Sequence, residues 1–147
     1  MNKVTDDNDE SLSFEIETGD RIVFIRCEGK VWPGPFLELL EQGIERCGGA
    51  GKRGLLVDIR DCHGLAPSTA ARHELGVSIS ELQSARSPLV VIGVLGEEPF
   101  IDPGRFGEMV AVQNNAVFRA FTDEESAISW LESQVAMRVS TDSPPLN

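Results

Sequence analysis

Leu89-Val90-Val91-Ile92-Gly93-Val94-Leu95 is apolar at almost every position. A strand with that composition must be covered on both faces, so it belongs inside a sheet with helices packed against it. Leu55, Leu56, Val57 and Ile59 form a second apolar run, read as a central strand over about 54–60. Two buried strands of this kind, with helical patterns between and around them, constrain the chain to an α/β architecture.

The rest of the chain fits that frame. Leu12, Phe14 and Ile16 alternate with polar residues, as in a half-buried strand. Thr18-Gly19-Asp20 is a turn, and Arg21 to Glu28 forms the second arm of a hairpin. After Trp32-Pro33-Gly34, Pro35 suits a first helical position. Phe36, Leu37, Leu39, Leu40, Gly43, Ile44 and Cys47 then recur at helical spacing, and Gly48-Gly49-Ala50-Gly51 ends that helix. Cys62 to Ala66 is read as a loop after the central strand. A helix from Ser68 to about Ala85 carries Ala71, Leu75, Ile79 and Leu82 on one face. Asp102-Pro103 reads as a cap and first position of a third helix reaching about Gln113, with Phe106, Met109 and Val110 on one side. Val117 to Phe121 is a short strand. Thr122 and Glu125 then form a capping box for a last helix that carries Ala127, Ile128, Trp130, Leu131 and Val135.

The expected order is β-β-α-β-α-β-α-β-α, a single α/β domain over 12–137 with a mixed sheet and about four helices. It is flanked by a disordered acidic tail over 1–11 and a loose tail over 138–147. A length of 147 residues suits one domain.

Charge and composition exclude several function classes. A net charge of -11 repels phosphate backbones and anionic headgroups, which argues against nucleic acid as a partner. Aromatics make up 6% of the chain, too few for a base-stacking platform. Cys27, Cys47 and Cys62 form no CxxC pair, which fits reduced thiols in a cytoplasm. No apolar run approaches the roughly 20 residues that span a membrane, and the acidic N-terminus is no signal peptide.

Several strings resemble the SpoIIAA-like family, a branch of the STAS superfamily named for sulfate transporters and anti-sigma factor antagonists. They are the hairpin into Cys27-Glu28-Gly29, the strand Leu55 to Asp61, the strand Leu89 to Leu95 and, most specifically, the ending in which Phe121, Glu125, Ala127, Trp130 and Leu131 are spaced F-x-x-x-E-x-A-x-x-W-L. The resemblance covers residues 12–133. It implies a non-enzymatic regulatory domain that binds a protein partner. In the antagonists a kinase modifies a serine at a helix N-terminus just after the central strand, in a motif Asp-Ser-Ser-Gly-Leu. That place is held here by Ala66-Pro67-Ser68-Thr69-Ala70, so the carry-over reaches only Ser68 and, less well, Thr69. Other members of the branch are similar to lipid carriers of the CRAL-TRIO kind, which implies a small hydrophobic ligand.

The residues themselves weigh these options. Ser68 as phosphoacceptor would present a dianion to free N–H groups at a helix start. The plainer role is an N-cap worth about 1 kcal/mol. Trp32, Phe36, Phe100, Ile101, Phe106 and Met109 are large apolar groups in loops and short helices, the candidate lining of an apolar ligand site or the ends of the core. Asp58, Asp61, Cys62 and His63, with His73 near, lack the convergence a metal site needs. Cys62 and His63 are adjacent, which rarely puts two side chains in mutual reach as nucleophile and base. Gly48 to Arg53 is no phosphate loop: it leads into a strand and has Arg53 where a Ser or Thr is needed. No cofactor is expected. The N-terminal hairpin leaves an edge through which a homodimer could form.

Overall fold

The computed structural model describes residues 2–5, 11–32, 35–64, 67–85, 89–98, 100–101 and 104–142. The strands are β1 Asn2–Thr5, β2 Ser11–Thr18, β3 Ile22–Trp32, β4 Gly54–Gly64, β5 Val91–Leu95 and β6 Phe118–Phe121. The helices are α1 Pro35–Ala50, α2 Thr69–Ser84, α3 Phe106–Gln113 and α4 Glu124–Asp142. The strands form one mixed sheet in the order β1-β2-β3-β4-β5-β6. The first three pair antiparallel, and β3 to β6 run parallel.

This order explains the layers. Each step from β3 to β6 moves to the next strand in one direction, and right-handed crossovers then put every connecting helix on the same face. One core lies there, where Leu39, Leu40 and Ile44 of α1, Ile79 of α2 and Ala111 of α3 meet Ile25, Val57, Ile92 and Val94. The other face is covered by α4, whose Ala127, Leu131 and Val135 meet Leu56, Val91, Leu95 and Phe121. Alternate residues of β4 and β5 therefore point into different cores, and all five residues of β5 are buried.

Close approaches fix the helices. A Cβ on Gly43 would lie 2.6 Å from Leu55 Cδ2, so α1 rests directly on the sheet. The helix ends where Gly51 turns left-handed (φ +70°), and the Lys52 N–H returns to the Cys47 carbonyl at 2.8 Å.

The alternating α/β plan and its single mixed sheet match the sequence expectation. Several local features differ. Asn2–Thr5, expected in a disordered tail, pairs with β2 as an extra edge strand. Helix α4 continues to Asp142, into the segment expected to be loose. Cys62, His63 and Gly64, expected in a loop, extend β4 beside β3, and Trp32 ends β3. Helix α3 begins at Phe106, after Arg105 in the left-handed region (φ 50°, ψ 45°); the Asp102-Pro103 cap lies outside the described residues. On α3 it is Val110 and Ala111 that are buried, whereas Met109 is 46% exposed. Asp123, not Thr122, caps α4: the Ser126 N–H donates to Asp123 Oδ2 at 2.8 Å.

Candidate functional site

At the carboxyl end of the parallel strands, Ser68 starts α2. Its backbone is extended (φ −69°, ψ 168°). Its Oγ accepts the Ala71 N–H at 3.1 Å, and its carbonyl accepts the Arg72 N–H at 2.9 Å. Pro67 before it is buried, while Ser68 and Thr69 are exposed. The serine is thus an N-cap that also presents its hydroxyl to solvent beside a helix start, where an anion is favoured.

Beneath this turn a cavity of about 70 Å³ lies between the sheet and the α1–α3 layer. Phe36, Ile59, Leu75, Ile79, Val94 and Phe118 supply its apolar wall, closed by Phe100 and Ile101. Three charged residues join them: Arg72, Arg105 and Glu108. Each is tied to main chain. Arg72 Nη1 donates to the Phe100 carbonyl at 2.7 Å. Arg105 Nη1 donates to the Ala120 carbonyl at 2.7 Å, and the Ala120 N–H donates to Glu108 Oε1 at 2.6 Å. Both polar groups of Ala120 on strand β6 are thereby met by side chains before and within α3, a way of closing a sheet edge.

Of the six apolar residues expected to converge, Phe36, Phe100 and Ile101 line this cavity. Phe106 does not: its ring stands against His73, with centroids 6.5 Å apart. Met109 is largely exposed. The Trp32 side chain lies outside the described residues. Arg72, Arg105 and Glu108 have no signature in the sequence, because their partners are main-chain groups 12 to 28 residues away.

Other polar groups form a separate cluster on the α4 face. Arg60 donates to Asp58 from its backbone N–H (3.0 Å), Nε (3.0 Å) and Nη2 (2.9 Å). Glu124 at the start of α4 lies 3.3 Å from Arg26 and 3.6 Å from Arg60. Burial disfavours the charged form of Asp58, but the hydrogen bonds from Arg60 and the charges of Arg60 and Arg26 outweigh it and hold the carboxyl below its ordinary range. Both histidines are exposed, and neither lines the cavity. Among the described residues no three His, Cys, Asp or Glu side chains could hold a metal ion. No helix among them is long and apolar enough to cross a membrane.

Neither a protein-family model nor a curated protein matches the chain. Among solved structures it is similar to an anti-sigma factor antagonist from Mycobacterium paratuberculosis, with 12% identity, a TM-score of 0.54, and 88% of this chain and 99% of that one covered. A protein of the DUF3478 family with a SpoIIAA-like fold, from Shewanella loihica, aligns at 18% identity with a TM-score of 0.41, over 83% of this chain and 94% of that one. The first likeness places the chain in the fold of the anti-sigma factor antagonists, the fold that its strand and helix strings resemble.

Proposed function

We propose that this chain is a non-enzymatic regulatory module that works by binding a protein partner, with the start of α2 as its contact and control point. The observation that carries the reading is the exposed Ser68 cap after β4, in a fold shared along almost the whole length of an anti-sigma factor antagonist. Fold alone does not determine function, so the weight rests on that site. A phosphate on Ser68 would sit at a helix N-terminus, where partial positive charge and free N–H groups favour it. It would also add about two negative charges to a partner-facing surface.

A carrier of hydrophobic ligands is the weaker reading. The cavity is suitably apolar, but at about 70 Å³ it is well below the roughly 300 Å³ at which drug-sized ligand sites begin.

Titration of the unmodified protein and of Ser68→Asp with the anti-sigma factors encoded by its own genome is the test. Binding by the unmodified protein that is weakened at least tenfold in Ser68→Asp is expected. Equal affinity of the two forms would remove Ser68 as the control point. No binding to any of them would remove the regulatory reading itself.

A further inference from the structure

The ladder between β3 and β4 slips by one residue. Arg26 pairs with Asp58, but Glu28 pairs with Asp61. One extra residue of β4 is therefore accommodated beside Cys27. Strict alternation along β4 would put Leu55, Val57, Ile59 and Asp61 on the same face. The extra residue reverses the parity, so Cys62 follows Ile59 into the α1–α3 side of the sheet, where it packs against that core. Asp58 supports the irregularity by accepting the Arg60 N–H. As a result two cysteines 35 residues apart in sequence meet: Cys62 Sγ lies 3.5 Å from Cys27 Sγ.

We infer that Cys27 and Cys62 form an oxidation site, a dithiol that a peroxide converts to a reversible disulfide clamping β3 to β4. The sulfurs must approach by only about 1.5 Å to reach the ordinary S–S bond length. Their roles differ. Cys62 is half-buried and donates to Cys27, while Cys27 is 5% exposed and donates to the Asp58 carbonyl at 3.2 Å. Cys62 is the more exposed sulfur, and the hydrogen bond shared between the two thiols, burial and the nearby Asp58 and Asp61 charges push the Cys27 thiol up, so Cys62 reacts first and Cys27 resolves.

The chemistry balances with peroxide as the named oxidant. The Cys62 sulfur attacks one peroxide oxygen, the O–O bond breaks, and the other oxygen leaves as water, giving a sulfenic acid. The Cys27 sulfur then attacks the Cys62 sulfur. The S–O bond breaks, the oxygen leaves as a second water with the Cys27 proton, and the S–S bond forms. The two thiols lose two electrons and two protons, and the peroxide is reduced to two waters.

The third cysteine is an internal control. Cys47 is fully buried in α1, its thiol hydrogen-bonds the Gly54 carbonyl at 3.5 Å, and burial pushes it up to about 12.

The full chain, treated with hydrogen peroxide in native buffer and digested without reductant, should yield a Cys27–Cys62 linked peptide. Dithiothreitol should remove the link, Cys47 should remain a thiol, and Cys62→Ala should abolish the link. Three results would overturn the inference: Cys62 carried to sulfinic acid while Cys27 stays alkylatable, a link between two chains through Cys62, or no change at either sulfur. The wild-type peptide map decides the matter by itself, even where the variant fails to fold.

Discussion

Gln83 and Val117 are joined by two hydrogen bonds in opposite directions. The Val117 N–H donates to Gln83 Oε1 at 2.6 Å, and Gln83 Nε2 donates back to the Val117 carbonyl at 2.9 Å. The same Nε2 donates to the Val90 carbonyl at 2.7 Å. A side-chain amide near the end of α2 thus acts as a short piece of strand and fastens the helix to the residues entering β5 and β6. At 1% exposure, Gln83 is the one buried polar or charged side chain among the described residues.

Gln83→Leu keeps the bulk and removes all three bonds. The Val117 carbonyl keeps the Ile92 N–H at 3.1 Å, so the Val117 N–H and the Val90 carbonyl are the groups that lose this partner; at about 1–3 kcal/mol each, a loss of about 2–6 kcal/mol is expected. Urea unfolding would show it as a lower midpoint at unchanged slope. A change below about 0.5 kcal/mol would mean that water replaces the amide at no cost.

Two glycines in helices should respond in opposite directions to Ala. At Gly76 on α2 an added Cβ meets the Gly107 carbonyl at 2.8 Å and the Ala111 nitrogen at 2.9 Å. Those are backbone atoms of α3 and its first turn, so they cannot rotate away. Gly76→Ala is expected to cost about 1–3 kcal/mol despite the better helix former. At Gly48 on α1 nothing lies within 4 Å of the added atom. Gly48→Ala is expected to stabilise by about 0.5–1 kcal/mol. Thermal melts of the pair compare crowding with propensity at one chemical change.

Ser68 allows its two roles to be separated. Ser68→Ala removes the acceptor of the Ala71 N–H and should cost about 1 kcal/mol. Ser68→Asp keeps a capping oxygen and should restore most of that stability while altering partner binding. Thr69→Ala, at the first helical position, should stay within about 0.5 kcal/mol. Equal stability of Ser68→Ala and wild type would remove the capping role.

What could be read from the sequence follows the range of the interactions. The helix from Pro35, the start of β4 at Gly54 and the end of β5 at Leu95 rest on periodicity and local punctuation and match the expectation, whereas the extension of β4 to Gly64 depends on pairing with β3. Spacing alone does not choose between Thr122 and Asp123 as the cap of α4, because both can cap and only the backbone decides. Strand β1 has no hydrophobic pattern of its own and is ordered by pairing with β2. Of the six apolar candidates, Phe36, Phe100 and Ile101 line the cavity, whereas the Phe106 ring stands against His73. The Cys27–Cys62 contact depends on a register slip between two strands, and Gln83 depends on Val117, 34 residues away. Neither leaves a mark in local spacing.

The Asp58–Arg60 pair gives a signed pH dependence. The folded carboxyl titrates below its unfolded value of about 3.9, because the hydrogen bonds and charges of Arg60 and Arg26 overcome the cost of burial. A depressed folded pKa binds fewer protons than the unfolded chain, so stability rises with pH through that window. The contribution is complete above about pH 4 and is lost as pH falls through the folded value. Asp58→Asn cannot ionise, so its unfolding free energy should fall less steeply than that of wild type on acidification below about pH 4. Arg60→Gln should partly flatten the same limb from the other side, since it removes the two guanidinium donors and the charge that hold the carboxylate ionised while the backbone N–H donor remains. Urea unfolding at stepped acid pH is the measurement. Parallel acid limbs for wild type and Asp58→Asn would show that the pair lends the fold no pH-dependent stability. They would also remove the charged support from the strand irregularity that brings Cys62 beside Cys27.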